Sequence, residues 1–142
     1  MTYAPHISDL IEDFSFMDDW EDRYSHVIDL GKDLAPLQDC ERNDMTKVKG
    51  CVSQVWLIRD EDNAQRDRLF YRGDSDAHIV KGLVYIIIHV YSGMTAQDIL
   101  KTDISDIIAK IGLAEHLSAQ RSNGLKAMIT RIQAEAKTLL NQ

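Results

Sequence analysis

Cys51 is the side chain with the most chemistry in its surroundings. It stands in the run Lys47-Val48-Lys49-Gly50-Cys51-Val52-Ser53-Gln54-Val55-Trp56, where a polar loop gives way to a strand-like segment. Gly50 lets the backbone take a conformation that most residues avoid and leaves space beside the thiol. Lys47 and Lys49 add positive charge to the approach. A free thiol with a pKa near ~8.5 is only a few per cent thiolate at neutral pH, whereas a pKa of ~6.5 makes thiolate the majority form. Thiolate is the species that attacks sulfur. A cysteine here also suits a plain packing role, because free cysteine is among the most buried residue types. Spacing and charge do not choose between the two.

The other reactive residue types are dispersed. Cys40 lies between Asp39 and Glu41, whose charges disfavour a thiolate, and it reads as an unreactive loop cysteine. A Cys40–Cys51 disulfide is compatible with the sequence. The histidines, His6, His26, His78, His89 and His116, include no i, i+4 pair of the kind a helical metal site uses, so no metal site emerges. A Cys–His nucleophile pair could form across space, but no motif argues for hydrolysis. No glycine-rich phosphate loop is present. Gly82 and Gly124 fall inside helical patterns, where each costs ~1 kcal/mol relative to Ala and points to close helix packing. Asp60, Glu61 and Asp62 read as a solvated turn, and Arg121 and Asn123 as surface residues opening the last helix.

The chain has 142 residues, with 16 Lys+Arg against 23 Asp+Glu, a formal charge of −7 and 44% hydrophobic residues. This size and balance predict one domain over residues 1–142. Such a domain buries roughly 68–70% of its unfolded surface and needs neither a disulfide nor a structural metal. The acidic excess, uninterrupted by a block of Lys and Arg, argues against nucleic acid as a partner. The longest apolar run, residues 83–88, is far short of the ~20 residues of a membrane helix. Residues 1–6 carry no Lys or Arg of the kind that opens a secretory or organellar leader. The expected setting is cytoplasmic, a reducing compartment with free thiols.

The segment around Cys51 has to be held by its neighbours. Ser8 predicts the cap of a short helix reaching about residue 16. Asp18 predicts that of a second, in which Trp20, Tyr24, Val27 and Ile28 recur at helical spacing and Gly31 forms the C-terminal cap. Residues 33–49 lose this periodicity and read as an irregular connector. Two strand signals, residues 52–59 and 68–73, flank the turn-prone stretch 60–65 and predict a hairpin, with a third short strand expected near 45–48.

Beyond Gly73 the pattern turns helical. Ser75 is the expected N-cap, followed by Ile79, Leu83, Ile86 and Val90 in one stripe and Val80, Val84, Ile87 and Tyr91 in another, which makes this helix central. Gly93 ends it, Thr95 with Asp98 resembles a capping box, and Ile104, Ile107, Ile108 and Ile111 mark a further helix. Ser118 caps a last long helix with Leu125, Met128, Ile129, Ile132, Ala136 and Leu139 inward. The predicted class is α+β: a small antiparallel sheet of about three strands packed against several helices.

Against this frame, Gly50-Cys51-Val52-Ser53-Gln54-Val55-Trp56 followed by Gly73-Asp74-Ser75-Asp76-Ala77-His78-Ile79-Val80-Lys81-Gly82-Leu83 resembles the SufE family of sulfur acceptor proteins. Three further stretches agree in order and spacing. They are Trp20-Glu21-Asp22-Arg23-Tyr24 with Leu30-Gly31, then Met94-Thr95-Ala96-Gln97-Asp98-Ile99, and Leu117-Ser118-Ala119-Gln120-Arg121-Ser122-Asn123-Gly124-Leu125. The likeness runs from about Trp20 to the last helix.

The resemblance implies a fold similar to SufE and to IscU-type scaffolds, and no cofactor of the protein's own. It implies as partners a pyridoxal-phosphate-dependent cysteine desulfurase of the SufS or CsdA type and an iron–sulfur cluster assembly scaffold. Persulfide sulfur would pass from the desulfurase to Cys51 and onward to the scaffold, a role for a sulfur-transfer accessory protein rather than a stand-alone enzyme. Asp74 and Arg121 fall on family positions near the acceptor loop. Gly50 and Ser53 would help that loop switch, and Lys47 and Lys49 would stabilise thiolate once a partner has docked. A loop that hides the thiol until then protects it from oxidation. Cys40 is a departure from the family pattern. The alternative reading is a non-catalytic module that stimulates a desulfurase allosterically. A third, an iron–sulfur scaffold, is disfavoured because a cluster usually takes about four protein ligands.

Overall fold

The computed structural model describes residues 3–51, 53–60 and 65–141. Helix α1 (Pro5–Ser15) opens on a proline, whose missing amide is harmless in a first turn. Ser8 is therefore inside α1 and does not cap it; the boundary residue is Ala4, one turn earlier. Helix α2 (Trp20–Gly31) is capped by Asp19, not Asp18, the Asp19 carboxylate accepting the Asp22 amide at 2.9 Å. Gly31 is the last helical residue of α2 and has no left-handed backbone. What requires glycine there is proximity. A Cβ on Gly31 would stand 2.7 Å from the Gly82 nitrogen, and one on Gly82 would stand 2.0 Å from the Val27 oxygen. Helices α2 and α3 (His78–Tyr91) thus cross backbone against backbone, the packing expected of Gly82.

Helix α3 is the axis of the fold. Ile79, Leu83, Val84, Ile86, Ile87 and Val90 are all buried, because α1, α2, α6 and the sheet each cover one of its sides. Its start is later than Ser75, which ends strand β2 instead. The Ser75 hydroxyl donates to the Gln54 oxygen at 2.6 Å and so belongs to the sheet.

Strands β1 (Val55–Asp60) and β2 (Phe70–Ser75) run antiparallel, with Val55 opposite Ser75, Leu57 opposite Gly73 and Arg59 opposite Tyr71. Val55, Leu57 and Tyr71 form the buried face. The architecture is α+β as expected, but the described sheet has two strands rather than three. The segment near residues 45–48 contributes one antiparallel pair, Lys47 with Trp56. It is flanked by bonds from the Val48 amide to the Val55 oxygen and from the Leu57 amide to the Thr46 oxygen. Pairing stops there for two reasons. The Asn43 side chain accepts the Met45 and Thr46 amides and turns the chain on one side, and Gly50, at φ +97°, turns it on the other. Val52 and most of the hairpin turn, residues 61–64, lie outside the described residues.

Thr95, Asp103 and Ser118 cap α4 (Ala96–Lys101), α5 (Ile104–Lys110) and α6 (Ala119–Leu140), each accepting the amide three residues on. Helix α6 buries Gly124, Leu125, Met128, Ile132 and Ala136, and this face meets both α3 and the Cys51 loop. Among the described residues no helix is long and apolar enough to cross a membrane.

Candidate functional site

Both ends of the segment carrying Cys51 are tied to the sheet. The Val48 amide donates to the Val55 oxygen at 2.8 Å on the incoming side. On the outgoing side the Gln54 oxygen accepts from Ser75, and the Gln54 amide donates to Asp76 at 3.0 Å. Between these anchors the loop lies over α6. Gly50 sits at the positive φ that its type predicts, with the Ala127 methyl 3.4 Å from where a Cβ would project.

Cys51 points onto α6 beside Gly124. Its Sγ donates to the Gly124 oxygen at 3.6 Å, and a Cβ on Gly124 would stand 3.3 Å from the sulfur. The close packing expected of Gly124 is therefore with the loop: the bare backbone forms a notch for the thiol. A cavity of about 290 Å³ opens from this notch, with Ser53, Ser118 and Arg121 among its polar walls and Leu83, Leu125 and Met128 among the apolar ones. Arg121 and Ser53 thus line the same cavity as Cys51. Arg121, half-buried, has no ion-pair partner among the described residues.

Burial pushes the half-buried Cys51 thiol above its ordinary pKa. The bond to the Gly124 carbonyl also requires the sulfur's proton. In this state the group is a sheltered thiol, opposite to a resting thiolate. Lys47 and Lys49 are exposed, and the shift of the thiol comes from burial.

Asp74 is elsewhere. Its largely buried carboxylate faces Arg42 at 3.3 Å and Lys81 at 3.4 Å and accepts the Ser75 amide at 2.8 Å. Arg42 also donates to the Leu37 oxygen and lies over the Trp56 ring, so Asp74 fastens the 37–42 connector to the outer face of the sheet. Cys40 is exposed, and both cysteines are free. Among the described residues no group of His, Cys, Asp and Glu is placed to hold a metal.

One residue near the site was not singled out by sequence reasoning. Arg131 of α6 reaches under the incoming end of the loop and donates to the oxygens of Lys47 at 3.1 Å and Met45 at 2.9 Å. Its sequence signal is slight: a charged residue on the helical face that carries Gly124 and Met128.

Residues 8–136 match the SufE domain, described as an Fe-S metabolism associated domain. An uncharacterized SufE-like protein of Rhizobium meliloti is 49% identical over 132 residues, covering 92% of this chain and 94% of that protein. An uncharacterized SufE-like protein of Rhizobium etli is 50% identical over 136 residues, covering 95% and 92% respectively. The solution structure of a hypothetical protein from Thermus thermophilus superposes with a TM-score of 0.76 at 17% identity, over 99% of this chain and 100% of that one, a likeness of fold.

Proposed function

The chain belongs to the SufE family, and from that membership and the Cys51 pocket we propose that it accepts persulfide sulfur from a cysteine desulfurase onto Cys51 and relays it to an iron–sulfur assembly scaffold. The observation that carries the reading is a thiol stored in a glycine notch at the tip of a loop whose two ends are fixed. A partner that lifts the loop removes the burial that holds the thiol protonated.

In the transfer, the Cys51 thiolate attacks the terminal sulfur of the donor's persulfide. A new S–S bond forms at Cys51, the donor's own S–S bond breaks, and the donor cysteine leaves as a thiolate that takes up a proton. Electrons balance without a metal or an outside oxidant. Arg121, lining the cavity without an ion-pair partner among the described residues, is the cation that would stabilise anionic sulfur as it leaves the notch, and the exposed Lys47 and Lys49 add positive charge to the incoming segment of the loop. Gly50 and Ser53 serve the loop's change of position, while Asp74 acts at a distance by holding the sheet's outer covering.

Cys51→Ser is expected to fold and to bind the desulfurase yet accept no sulfur. Retained acceptance refutes the assignment. If Cys51→Ala stimulates the desulfurase as well as the unmodified protein does, the allosteric module is the correct reading instead.

A further inference from the structure

We infer that Arg131 is a positioning residue for the Cys51 loop, clamping its incoming end so that the segment up to Lys47 stays in place when the thiol is exposed. Its guanidinium fork is spread over one short stretch of backbone. Nη1 donates to the Thr46 and Lys47 oxygens at 3.3 and 3.1 Å, and Nη2 to the Met45 and Leu57 oxygens at 2.9 and 3.5 Å. Three of these carbonyls belong to the segment that delivers the loop, and the fourth belongs to β1 beneath it. The head is held in turn by Glu135, 3.8 Å from Nε, which accepts from the Tyr71 hydroxyl at 3.3 Å. A planar, permanently charged fork suits this task in a way that a single ammonium does not.

The placement on α6 gives the clamp its meaning. Gly124, which receives the sulfur, and Ala127, which lies under Gly50, are on the same rigid helix as Arg131. Notch and clamp are thus separated by a fixed two turns. With the segment up to Lys47 fastened to that helix, a docking partner moves a few residues and returns the sulfur to the same notch. This consequence for transfer rests on the sulfur-acceptor reading; the clamp itself does not.

The test uses the full chain carrying Cys40→Ser, so that Cys51 is the one thiol, and measures the rate of alkylation by iodoacetamide at neutral pH. Arg131→Met is expected to alkylate about tenfold faster, equivalent to ~1.4 kcal/mol in the opening equilibrium. Arg131→Lys is expected to fall between the two and decides by the same comparison if Arg131→Met fails to fold. Ile132→Val, a buried change one residue along that touches no loop carbonyl, is expected to leave the rate unchanged. With a desulfurase and cysteine supplied, Arg131→Met is expected to accept sulfur more slowly despite its more reactive thiol, a combination that general loosening does not give. An unchanged alkylation rate in the Arg131 variants, an equal rise in Ile132→Val, or unimpaired acceptance by Arg131→Met overturns the inference. Failure of the unsubstituted protein to accept any sulfur refutes the acceptor reading but leaves the alkylation comparison to decide the clamp.

Discussion

Filling the notch at Gly124 should force the thiol out of its shelter. A single added methyl would stand 3.3 Å from Cys51 Sγ and 3.6 Å from its Cβ. Optimal contacts between such atoms lie near ~3.5–4.0 Å, so Gly124→Ala asks the cysteine to give by a few tenths of an ångström. Alanine also returns about 1 kcal/mol of helix propensity, so stability to urea is expected to change by no more than about that amount. Gly124→Val adds methyls a bond length further out, where the sulfur now sits. Cys51 then loses both its burial and its bond to the Gly124 oxygen. A neutral hydrogen bond contributes ~0.5–1.5 kcal/mol, and 1.4 kcal/mol is tenfold in an equilibrium, so the thiol's exposure should rise severalfold to about tenfold. The assay is the second-order rate of Cys51 alkylation at neutral pH in the Cys40→Ser background, followed by intact mass, with circular dichroism to verify folding. A modest rise for Gly124→Ala and a large one for Gly124→Val are expected. A folded Gly124→Val protein that alkylates no faster than its parent refutes the notch.

Thiolate absorbance in the Cys40→Ser protein should titrate above the ordinary thiol range, because burial raises the Cys51 pKa. The stability linked to this neutral thiol is present below the unfolded chain's thiol pKa and lost as pH rises through the folded value. Urea stability should therefore fall more with alkali in Cys40→Ser than in the same protein with Cys51→Ser added, and equal slopes would contradict the shift. Gly82→Ala drives a Cβ to 2.0 Å from the Val27 oxygen, where backbone cannot yield cheaply, and should cost about 3 kcal/mol or more in urea unfolding; near-normal stability would contradict the backbone crossing. Asp74→Asn weakens the hold on Arg42 and Lys81, so limited proteolysis near residues 37–42 should quicken while Cys51 alkylation stays unchanged. A changed alkylation rate would tie Asp74 to the pocket directly.

Local physics was readable in the chain and long-range physics was not. The two stripes of α3, the Thr95 and Ser118 caps and the turn at Gly50 depend on residues within a few positions of one another, and each is found as expected. Ser8 and Ser75 are good caps by type, yet neither caps its helix. Pro5 starts α1 earlier, and the Ser75 hydroxyl is committed to Gln54, 21 residues back. The third strand shrank to one pair because turns close in on both sides of it. At the site, Cys51 and Gly50 stood out by type, whereas the thiol's protonation depends on a helix 73 residues further along. Arg131 was hidden for the same reason, its targets being 84 to 86 positions away along most of the clamp. Asp74 and Cys51 recur in one sequence pattern, yet the fold gives them separate tasks, one fastening the connector and the other facing the cavity.

The most direct test is to incubate the unsubstituted protein with a cysteine desulfurase and cysteine, then map added sulfur onto its peptides by tandem mass spectrometry without reductant. One extra sulfur atom on Cys51, with Cys40 unmodified, is the expected result. Sulfur found on Cys40 alone, or none on either residue while the desulfurase carries its own persulfide, would contradict the account.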